Sequence, residues 1–247
     1  MIKSDRHVHT VFSDGKNTLE EMVVSAIEKG LTTIGFSDHS YTFFDESYCV
    51  KKEEIALYKK TIALLKEKYK DKIEILCGVE QDLFSTEPTE GYDYVIGSVH
   101  YVCKDGLYLD VDASEEEFLK AVNEHFGGDV YAFCEAYYDL VAQLPVRHKI
   151  DCIGHFDLVS KFNEGEKLFS FSHPRYVAAW KKCADSILKY GIPFEINTGA
   201  LSRKYRSDAY PSSEIRSYLK RRGATFVLAS DSHDKANLCY RFEDFLP

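Results

Sequence analysis

The sequence lacks several features that would place it in a membrane, outside the cell or on nucleic acid. None of its apolar runs is long enough to cross a bilayer. Its seven cysteines are scattered singly without a Cys-x-x-Cys pair, as is typical of reduced thiols. A net charge of -9 disfavours a broad nucleic-acid surface. The first residues lead directly into a strand pattern, so we expect no signal peptide. We therefore predict a cytoplasmic protein that binds neither membrane nor nucleic acid.

Strand and helix patterns alternate about seven times along the 247 residues, with no linker or low-complexity tract between them. The strand patterns are short and mostly apolar, which favours parallel strands covered on both faces. They cover residues 2–10, 31–36, 73–79, 94–99, 150–154, 193–196 and 225–229. Helices begin near residues 19, 53, 115, 129, 174 and 212, the first with a capping box at Thr18-Leu19-Glu20-Glu21. The alternation predicts one α/β domain over residues 1–247, a β/α barrel, with an open doubly wound sheet as the alternative.

Chemically active side chains follow the ends of these strands. His7 and His9 lie two residues apart in the first strand, so both point to the same face and are placed to bind one metal ion. The carboxyl ends of parallel barrel strands meet at one face, where barrel enzymes carry their reacting groups. The candidate ligands at this face are His7, His9, Asp14, His39, Glu80, His100, His155, Asp231 and His233.

Each of these residues also has a structural interpretation, as a turn cap, a buried core histidine or half of an ion pair. Together they would leave uncompensated polar groups in one barrel mouth, which is unfavourable unless a ligand binds them. Imidazole and carboxylate groups suit zinc, iron and manganese, so we predict a metal site. The other three of the nine histidines, His125, His148 and His173, lie in helical or loop patterns, and we interpret them as structural or exposed.

The ordered motifs resemble those of the PHP (polymerase and histidinol phosphatase) superfamily from residue 5 to about residue 233. The similar motifs are His7-Val8-His9, Ser37-Asp38-His39, Gly78-Val79-Glu80, Gly97-Ser98-Val99-His100, Gly154-His155 and Ser230-Asp231-Ser232-His233. Further segments are most similar to the histidinol-phosphatase branch, namely Gly154-His155-Phe156-Asp157, Glu195-Ile196-Asn197-Thr198-Gly199-Ala200, Ser202-Arg203 and Tyr210-Pro211-Ser212.

This resemblance implies a distorted (β/α)7 barrel with three divalent metal ions, whether zinc, manganese, iron or a mixture. The implied ligands are His7, His9, Glu80 and Asp231 for the first ion, a bridging Glu80 with His100 and His155 for the second, and Asp14, His39 and His233 for the third. Because Asp14 is a harder ligand than histidine, the third site favours manganese or iron over zinc. The implied reaction is hydrolysis of L-histidinol phosphate in histidine biosynthesis, with a metal-bridging hydroxide as the nucleophile.

The remaining roles are hypotheses from residue chemistry. Arg203 is the candidate phosphate clamp, because a guanidinium group pairs with phosphate through charge-assisted hydrogen bonds, and Lys161 is a weaker candidate. Asp231 or a metal-bound water would help the alkoxide to leave. Asp82 and the aromatic loop 41–44 are candidates for contacts with the rest of the substrate, a small phosphate monoester.

Three other activities of the same superfamily stay open, namely a nucleotidase, a nuclease or a phosphotyrosine phosphatase. A non-catalytic metal-binding module is the alternative from a different class. The sequence leaves the oligomeric state open.

Overall fold

Seven parallel strands form a nearly closed barrel in the computed structural model of the chain, which describes residues 3–246. Their spatial order is β1-β2-β3-β4-β7-β8-β9, so each strand lies beside the next parallel strand of the chain. The prediction of a distorted (β/α)7 barrel is confirmed. The strands are β1 (Ser4–Asp5), β2 (Thr33–Phe36), β3 (Glu74–Asp82), β4 (Tyr94–Ser98), β7 (Cys152–Ile153), β8 (Phe194–Asn197) and β9 (Phe226–Ala229).

The barrel closes between its first and last strands through a few contacts rather than a regular ladder. Beyond Asp5 the chain stays extended and changes its partner, because Val8 forms an isolated parallel bridge with Ser232. The Ser232 amide donates to the His7 carbonyl at 3.2 Å, and the His9 amide donates to the Ser232 carbonyl at 2.9 Å. Of the strand predicted over residues 2–10, only Ser4–Asp5 pair in a regular ladder. Residue 2 lies outside the described range. This closure brings the first and last ligand segments side by side.

The six longer helices begin within two residues of their predicted positions. Thr18 caps the first helix in a reciprocal capping box with Glu21, as predicted. Among residues 3–246, no helix is both long and apolar enough to cross a membrane. The helices are α1 (Leu19–Glu28), α2 (Ile55–Tyr69), α3 (Glu115–His125), α4 (Val130–Val141), α5 (Leu144–Arg147), α6 (Pro174–Ile187), α7 (Gly199–Ser202) and α8 (Ser213–Arg221).

Three elements have no counterpart in the sequence prediction. An antiparallel hairpin of β5 (Tyr101–Lys104) and β6 (Leu107–Asp110) follows His100. It turns at Asp105 and Gly106, which both have positive φ. The other two are the four-residue helices α5 and α7, which are shorter than a hydrophobic period can reveal. The hairpin and α7 both lie on the face that carries the candidate ligands.

Tyr94 forms the layer of the barrel interior directly below the site. Its ring crosses β3 and β2, and its hydroxyl donates to the Arg6 carbonyl at 2.6 Å. Only glycine fits under the ring: a Cβ on Gly78 would lie 2.2 Å from Tyr94 Cζ, and one on Gly35 would lie 2.5 Å from the hydroxyl. Gly78 is two residues before Glu80 on the same face of β3, so this packing supports the central candidate ligand from below.

The Gly78→Ala substitution is expected to lower the free energy of unfolding by about 1–3 kcal/mol, because the new methyl group overpacks the barrel against Tyr94. The measurement is urea unfolding of metal-free protein in the Tyr94 and Tyr94→Leu backgrounds. In the leucine background the cost of the methyl group should fall, giving a coupling free energy between positions 78 and 94. An equal cost in both backgrounds would contradict this packing.

Candidate metal centre

The candidate ligands converge at the carboxyl ends of the barrel strands. His7 and His9 follow β1, His39 follows β2, and His100 follows β4. Seven of the nine predicted ligands have almost no exposed surface, and only Asp14 and His233 reach partly into solvent. The structure thus brings the nine residues together in one mouth, as the strand-end argument requires.

Glu80 is the centre of this arrangement and is fully buried in the described structure. Its Oε1 atom lies 2.8 Å from His155 Nε2 and 3.4 Å from His100 Nε2. Its Oε2 atom faces three further imidazoles, those of His39 (Nδ1, 2.8 Å), His7 (Nε2, 3.3 Å) and His9 (Nε2, 3.5 Å). One carboxylate therefore lies between five imidazoles, as expected of a ligand shared by two metal ions.

A second group of candidate ligands lies beside the first and meets at Asp14. Asp14 Oδ1 lies 3.2 Å from His233 Nε2, 3.6 Å from His39 Nε2 and 4.0 Å from His9 Nδ1. The rings of His9 and His233 are stacked, with centroids 4.1 Å apart. The geometry places His9 in this group as well as with His7 and Glu80, whereas the sequence hypothesis gave it to the first ion alone.

Several polar atoms of the site have no hydrogen-bond partner within residues 3–246, although they are buried. They are His7 Nε2, both ring nitrogens of His9, His39 Nδ1, Glu80 Oε2 and His155 Nδ1. His39 Nδ1 and Glu80 Oε2 lie 2.8 Å apart but do not form a hydrogen bond with each other. Burying such atoms without a partner is unfavourable. Lone pairs of imidazole and carboxylate that converge on one point are satisfied by a divalent cation, so the residues fit a metal cluster.

The charges in the mouth are strongly coupled. Burial opposes ionisation of Glu80, but the imidazoles of His7, His39 and His100 hold its pKa well below the usual range. Burial and the neighbouring His233 and His39 lower the pKa of His9, so that this ring is neutral. Ionised carboxylates and neutral imidazole are the forms that bind metals.

A further carboxylate, Glu195, orients two of the ligands and was not predicted as a site residue. Its Oε1 atom lies 2.7 Å from His7 Nδ1. Its Oε2 atom accepts from the His155 amide at 3.2 Å and from Asn197 Nδ2 at 3.0 Å. Burial opposes the charged form of His7, but Glu195, Glu80 and Asp231 hold the pKa of His7 well above its usual range. The signal available in the sequence was one acidic residue within the apolar strand β8.

Asp82 has a similar position beside His100. It is 2% exposed, and its Oδ2 atom lies 3.1 Å from His100 Nδ1 and also accepts from the His100 amide. Its Oδ1 atom accepts from the Phe84 amide at 2.8 Å. The sequence predicted Asp82 as a substrate contact, but this placement favours orientation of the His100 ring. Carboxylates that fix the free nitrogen of a ligating histidine are common around metals.

Two buried aspartates hold the loops that carry the remaining ligands. Asp38 accepts from the Thr10 amide at 2.7 Å and from Ser13 Oγ at 2.6 Å, which fixes the turn that carries Asp14. Asp5 accepts from the Ser230 amide at 3.2 Å, next to Asp231. Neither was predicted as a site residue, because a carboxylate that anchors a backbone loop has no characteristic spacing.

Arg203 lies at the edge of the mouth and contacts two candidate ligands. Its Nη2 donates to Asp231 Oδ2 at 3.0 Å, and its Nη1 lies 3.0 Å from His233 Nδ1. Gly199 permits this approach, since a Cβ there would lie 2.8 Å from Asp231 Oδ2 and 2.9 Å from Arg203 Nη2. Asp231 itself has a φ of 51°, a conformation that non-glycine residues adopt uncommonly.

Lys161 and the loop 41–44, the other candidates for substrate contacts, make contacts with neighbouring residues of the chain. Lys161 Nζ donates to the Asp112 carbonyl at 2.6 Å and to its carboxylate at 2.9 Å. In the loop, Phe44 stacks on Tyr108 of the hairpin with centroids 3.8 Å apart, while Phe43 is largely exposed. The loop therefore packs on the hairpin beside the site.

The three histidines outside the predicted ligand set take ordinary structural positions. His148 Nε2 lies 2.9 Å from the Leu83 carbonyl. His173 caps helix α6 and stacks on Tyr131 at a centroid distance of 3.7 Å. His125 ends helix α3.

Comparison with known proteins agrees with this fold. The PHP domain model matches residues 5–199. The histidinol-phosphatase of Bacillus subtilis (strain 168) is 30% identical over 100% of this chain and 99% of its own length. A solved candidate histidinol phosphatase from Listeria monocytogenes superposes with a TM-score of 0.84 at 21% identity, covering 99% of this chain and 100% of the other.

A second solved structure contains ligands. It is histidinol phosphate phosphatase from Lactococcus lactis, complexed with zinc, L-histidinol and phosphate. It superposes with a TM-score of 0.62 at 23% identity, covering 94% of this chain and 87% of the other. At this identity the likeness shows the fold.

A barrel whose mouth holds converging imidazoles and carboxylates around one central glutamate defines a metal-dependent phosphoesterase scaffold. The chain belongs to the PHP domain family, and it is a metal-dependent phosphatase.

The Glu195→Gln substitution is expected to weaken metal binding by about 10- to 100-fold, because a neutral amide no longer stabilises or orients the His7 ring. The measurement is metal content after equilibration with a graded chelator. Glu28→Gln, at the exposed end of α1, is the matched control and should retain metal like the parent chain. Equal metal retention in both variants would contradict the orienting role of Glu195.

Proposed function

We propose that this enzyme hydrolyses L-histidinol phosphate to L-histidinol and inorganic phosphate in histidine biosynthesis. The observation that carries the proposal is the match over the full length of both chains to the Bacillus subtilis histidinol-phosphatase. The ligands of the Lactococcus lactis structure, L-histidinol and phosphate, are the two products of the proposed reaction. The nine converging side chains support retained metal chemistry in this chain.

Three divalent ions are proposed for the mouth. His7, His9, Glu80 and Asp231 would hold the first, Glu80 with His100 and His155 the second, and Asp14, His39 and His233 the third. The distances around Glu80 and Asp14 support these sets, and His9 is close enough to take part in the third as well. Zinc is supported by the Lactococcus lactis complex, while the Asp14 carboxylate suits manganese or iron.

When bound, such ions lower the pKa of a coordinated water and neutralise charge on the phosphoryl oxygens. Around them, Glu80 holds the imidazoles in a compact array. Asp231 is kept ionised, despite its burial, by Arg203 and His7, and the ionised carboxylate is the form that binds a metal. The proton that the attacking water loses would pass, through Asp231 or a bound water, to the oxygen of the departing alcohol as the bond between that oxygen and phosphorus breaks.

Arg203 is proposed to bind the phosphoryl group. Its guanidinium is fixed by Asp231 and His233 at the edge of the mouth, yet about 30% of the side chain is exposed. Its Nε atom is buried without a hydrogen-bond partner in the described residues, so one donor is free for a ligand. Lys161 remains a secondary candidate, because Asp112 already accepts from its ammonium group. Asp82 is proposed to orient His100.

The cytoplasm remains the expected compartment. The structure gives all seven cysteines as free thiols, and five of them are buried, which agrees with a reducing environment. A small phosphate monoester is the proposed partner, and we expect no nucleic acid at the acidic surface.

The reaction is tested by phosphate release from L-histidinol phosphate, with purified enzyme loaded with manganese or zinc. Phosphoserine, a phosphotyrosine peptide and a nucleoside monophosphate serve as parallel substrates. We expect a kcat/KM of about 10⁴ M⁻¹s⁻¹ or more for histidinol phosphate alone. A higher kcat/KM on another ester would contradict the proposed substrate but not the metal-dependent hydrolysis. No release from any ester by the metal-loaded protein would contradict hydrolysis.

The separate roles of Arg203 and Asp231 give a further prediction. Arg203→Ala should raise KM by about 10- to 100-fold and keep its metals, because it removes charge-assisted hydrogen bonds to phosphate. Asp231→Asn should lose both metal and turnover, because it replaces a ligand carboxylate. Steady-state kinetics and metal analysis of the same preparations separate the two. Full turnover by a metal-poor Asp231→Asn protein would exclude a metal-assisted reaction.

A further inference from the structure

The segment that carries Arg203 returns to the barrel at Tyr210. The Asn197 amide donates to the Tyr210 carbonyl at 2.7 Å, and the Tyr210 amide donates to the Asn197 carbonyl at 2.9 Å. These two bonds attach Tyr210 to the carboxyl end of β8, two residues beyond Glu195. Its position relative to the site is therefore fixed by the barrel backbone.

The Tyr210 ring lies between a candidate metal ligand and a buried cation. Its centroid is 6.3 Å from that of His155, with the rings at 70°, and 4.6 Å from Arg206 Cζ. Arg206 is held in turn by Ser160 Oγ at 2.9 Å and by Asp157 at 3.5 Å. Only 1% of Tyr210 is exposed, and its ring adjoins the mouth through His155.

The Tyr210 hydroxyl has no hydrogen-bond partner among residues 3–246. Four other tyrosines of the described structure are equally buried, and the hydroxyl of each is satisfied. Tyr58 donates to the Gly78 carbonyl, Tyr137 donates to the Phe156 carbonyl, and Tyr138 and Tyr176 bond to each other at 3.0 Å. A buried hydroxyl without a partner is unfavourable. Among these five tyrosines, the hydroxyl of Tyr210 is therefore the one available to bind a ligand.

The chemistry of that ligand follows from the neighbouring groups. Arg203 Nε is a second buried donor without a partner, and it lies on the same segment. Burial raises the pKa of Tyr210; Arg206 and Arg203 oppose this while Asp157 and Asp112 reinforce it, so the phenol is protonated and able to donate. Arg203 Nε and the Tyr210 hydroxyl are two unpartnered donors, one of them on a guanidinium group, and they match a ligand that offers acceptors and carries negative charge, namely a tetrahedral oxyanion.

We propose that the Tyr210 hydroxyl donates a hydrogen bond to an oxygen of the phosphoryl group while Arg203 binds the same group. The inference rests on the assignment as a phosphatase and is independent of which alcohol carries the phosphate. Tyr210 is thereby a substrate-binding residue for the oxyanion.

The test is Tyr210→Phe in the full chain loaded with metal, with inorganic phosphate as the probe. We expect the dissociation constant of phosphate, measured by calorimetry, to rise about tenfold, which corresponds to about 1.4 kcal/mol. Metal content and Tm should equal those of the parent chain, because the hydroxyl has no partner within the described protein to lose. Orthovanadate should show the same loss.

Tyr138→Phe is the matched control. It removes a buried hydroxyl that bonds to Tyr176, so it should lower Tm and leave the phosphate affinity unchanged. An unchanged phosphate affinity in Tyr210→Phe would overturn the proposal. A fall in Tm as large as that of the control would also overturn it, since the hydroxyl would then have an internal partner. Phosphate binding is measured without turnover, so a failure on histidinol phosphate leaves this result interpretable.

Discussion

The burial of the Glu80 carboxylate at the end of β3 is the constraint on which the rest of the site depends. A fully buried carboxylate is stable only when several partners compensate its charge. Here five imidazoles from four other strand ends surround its two oxygens. Those rings can converge only if the strands lie parallel and in register, so the barrel and the site require each other. Gly78 and Tyr94, one layer below, fix the height at which Glu80 enters the mouth.

Four further carboxylates hold the ligand side chains, or the loops that carry them, in place. Glu195 contacts His7, Asp82 contacts His100, and Asp38 and Asp5 hold the backbone of the loops that carry Asp14 and Asp231. Each side chain accepts more than one hydrogen bond, as a buried carboxylate must. Their arrangement fixes which nitrogen of His7 and of His100 faces the centre. The outer carboxylates thus hold the ligand rings facing the centre of the mouth.

The sequence was sufficient to predict the barrel and the convergence of the nine ligands, because both depend on local signals. Apolar runs of strand length and a capping box at Thr18 give the order of elements, and polar residues directly after the runs give the mouth. Glu195 and Asp38 were missed because their partners lie 188 and 28 residues away in the chain. The barrel closure at Val8 and Ser232 joins the two ends of the chain, which no local pattern encodes. The hairpin after His100 was missed because its strands have four residues each.

Two groups of unpartnered buried atoms in the mouth suit different ligands. On the side of β1 to β3 they are ring nitrogens and a carboxylate oxygen, which suit cations. On the segment that follows β8 they are Arg203 Nε, which only donates, and the Tyr210 hydroxyl, which is able to donate to an anion. His155 adjoins both sets, since its ring approaches Glu80 on one side and Tyr210 on the other. A phosphate ester bound between them would have its oxygens polarised from both sides. This arrangement favours one orientation of the phosphoryl group, in which the alcohol part of the substrate extends away from Arg203 and Tyr210.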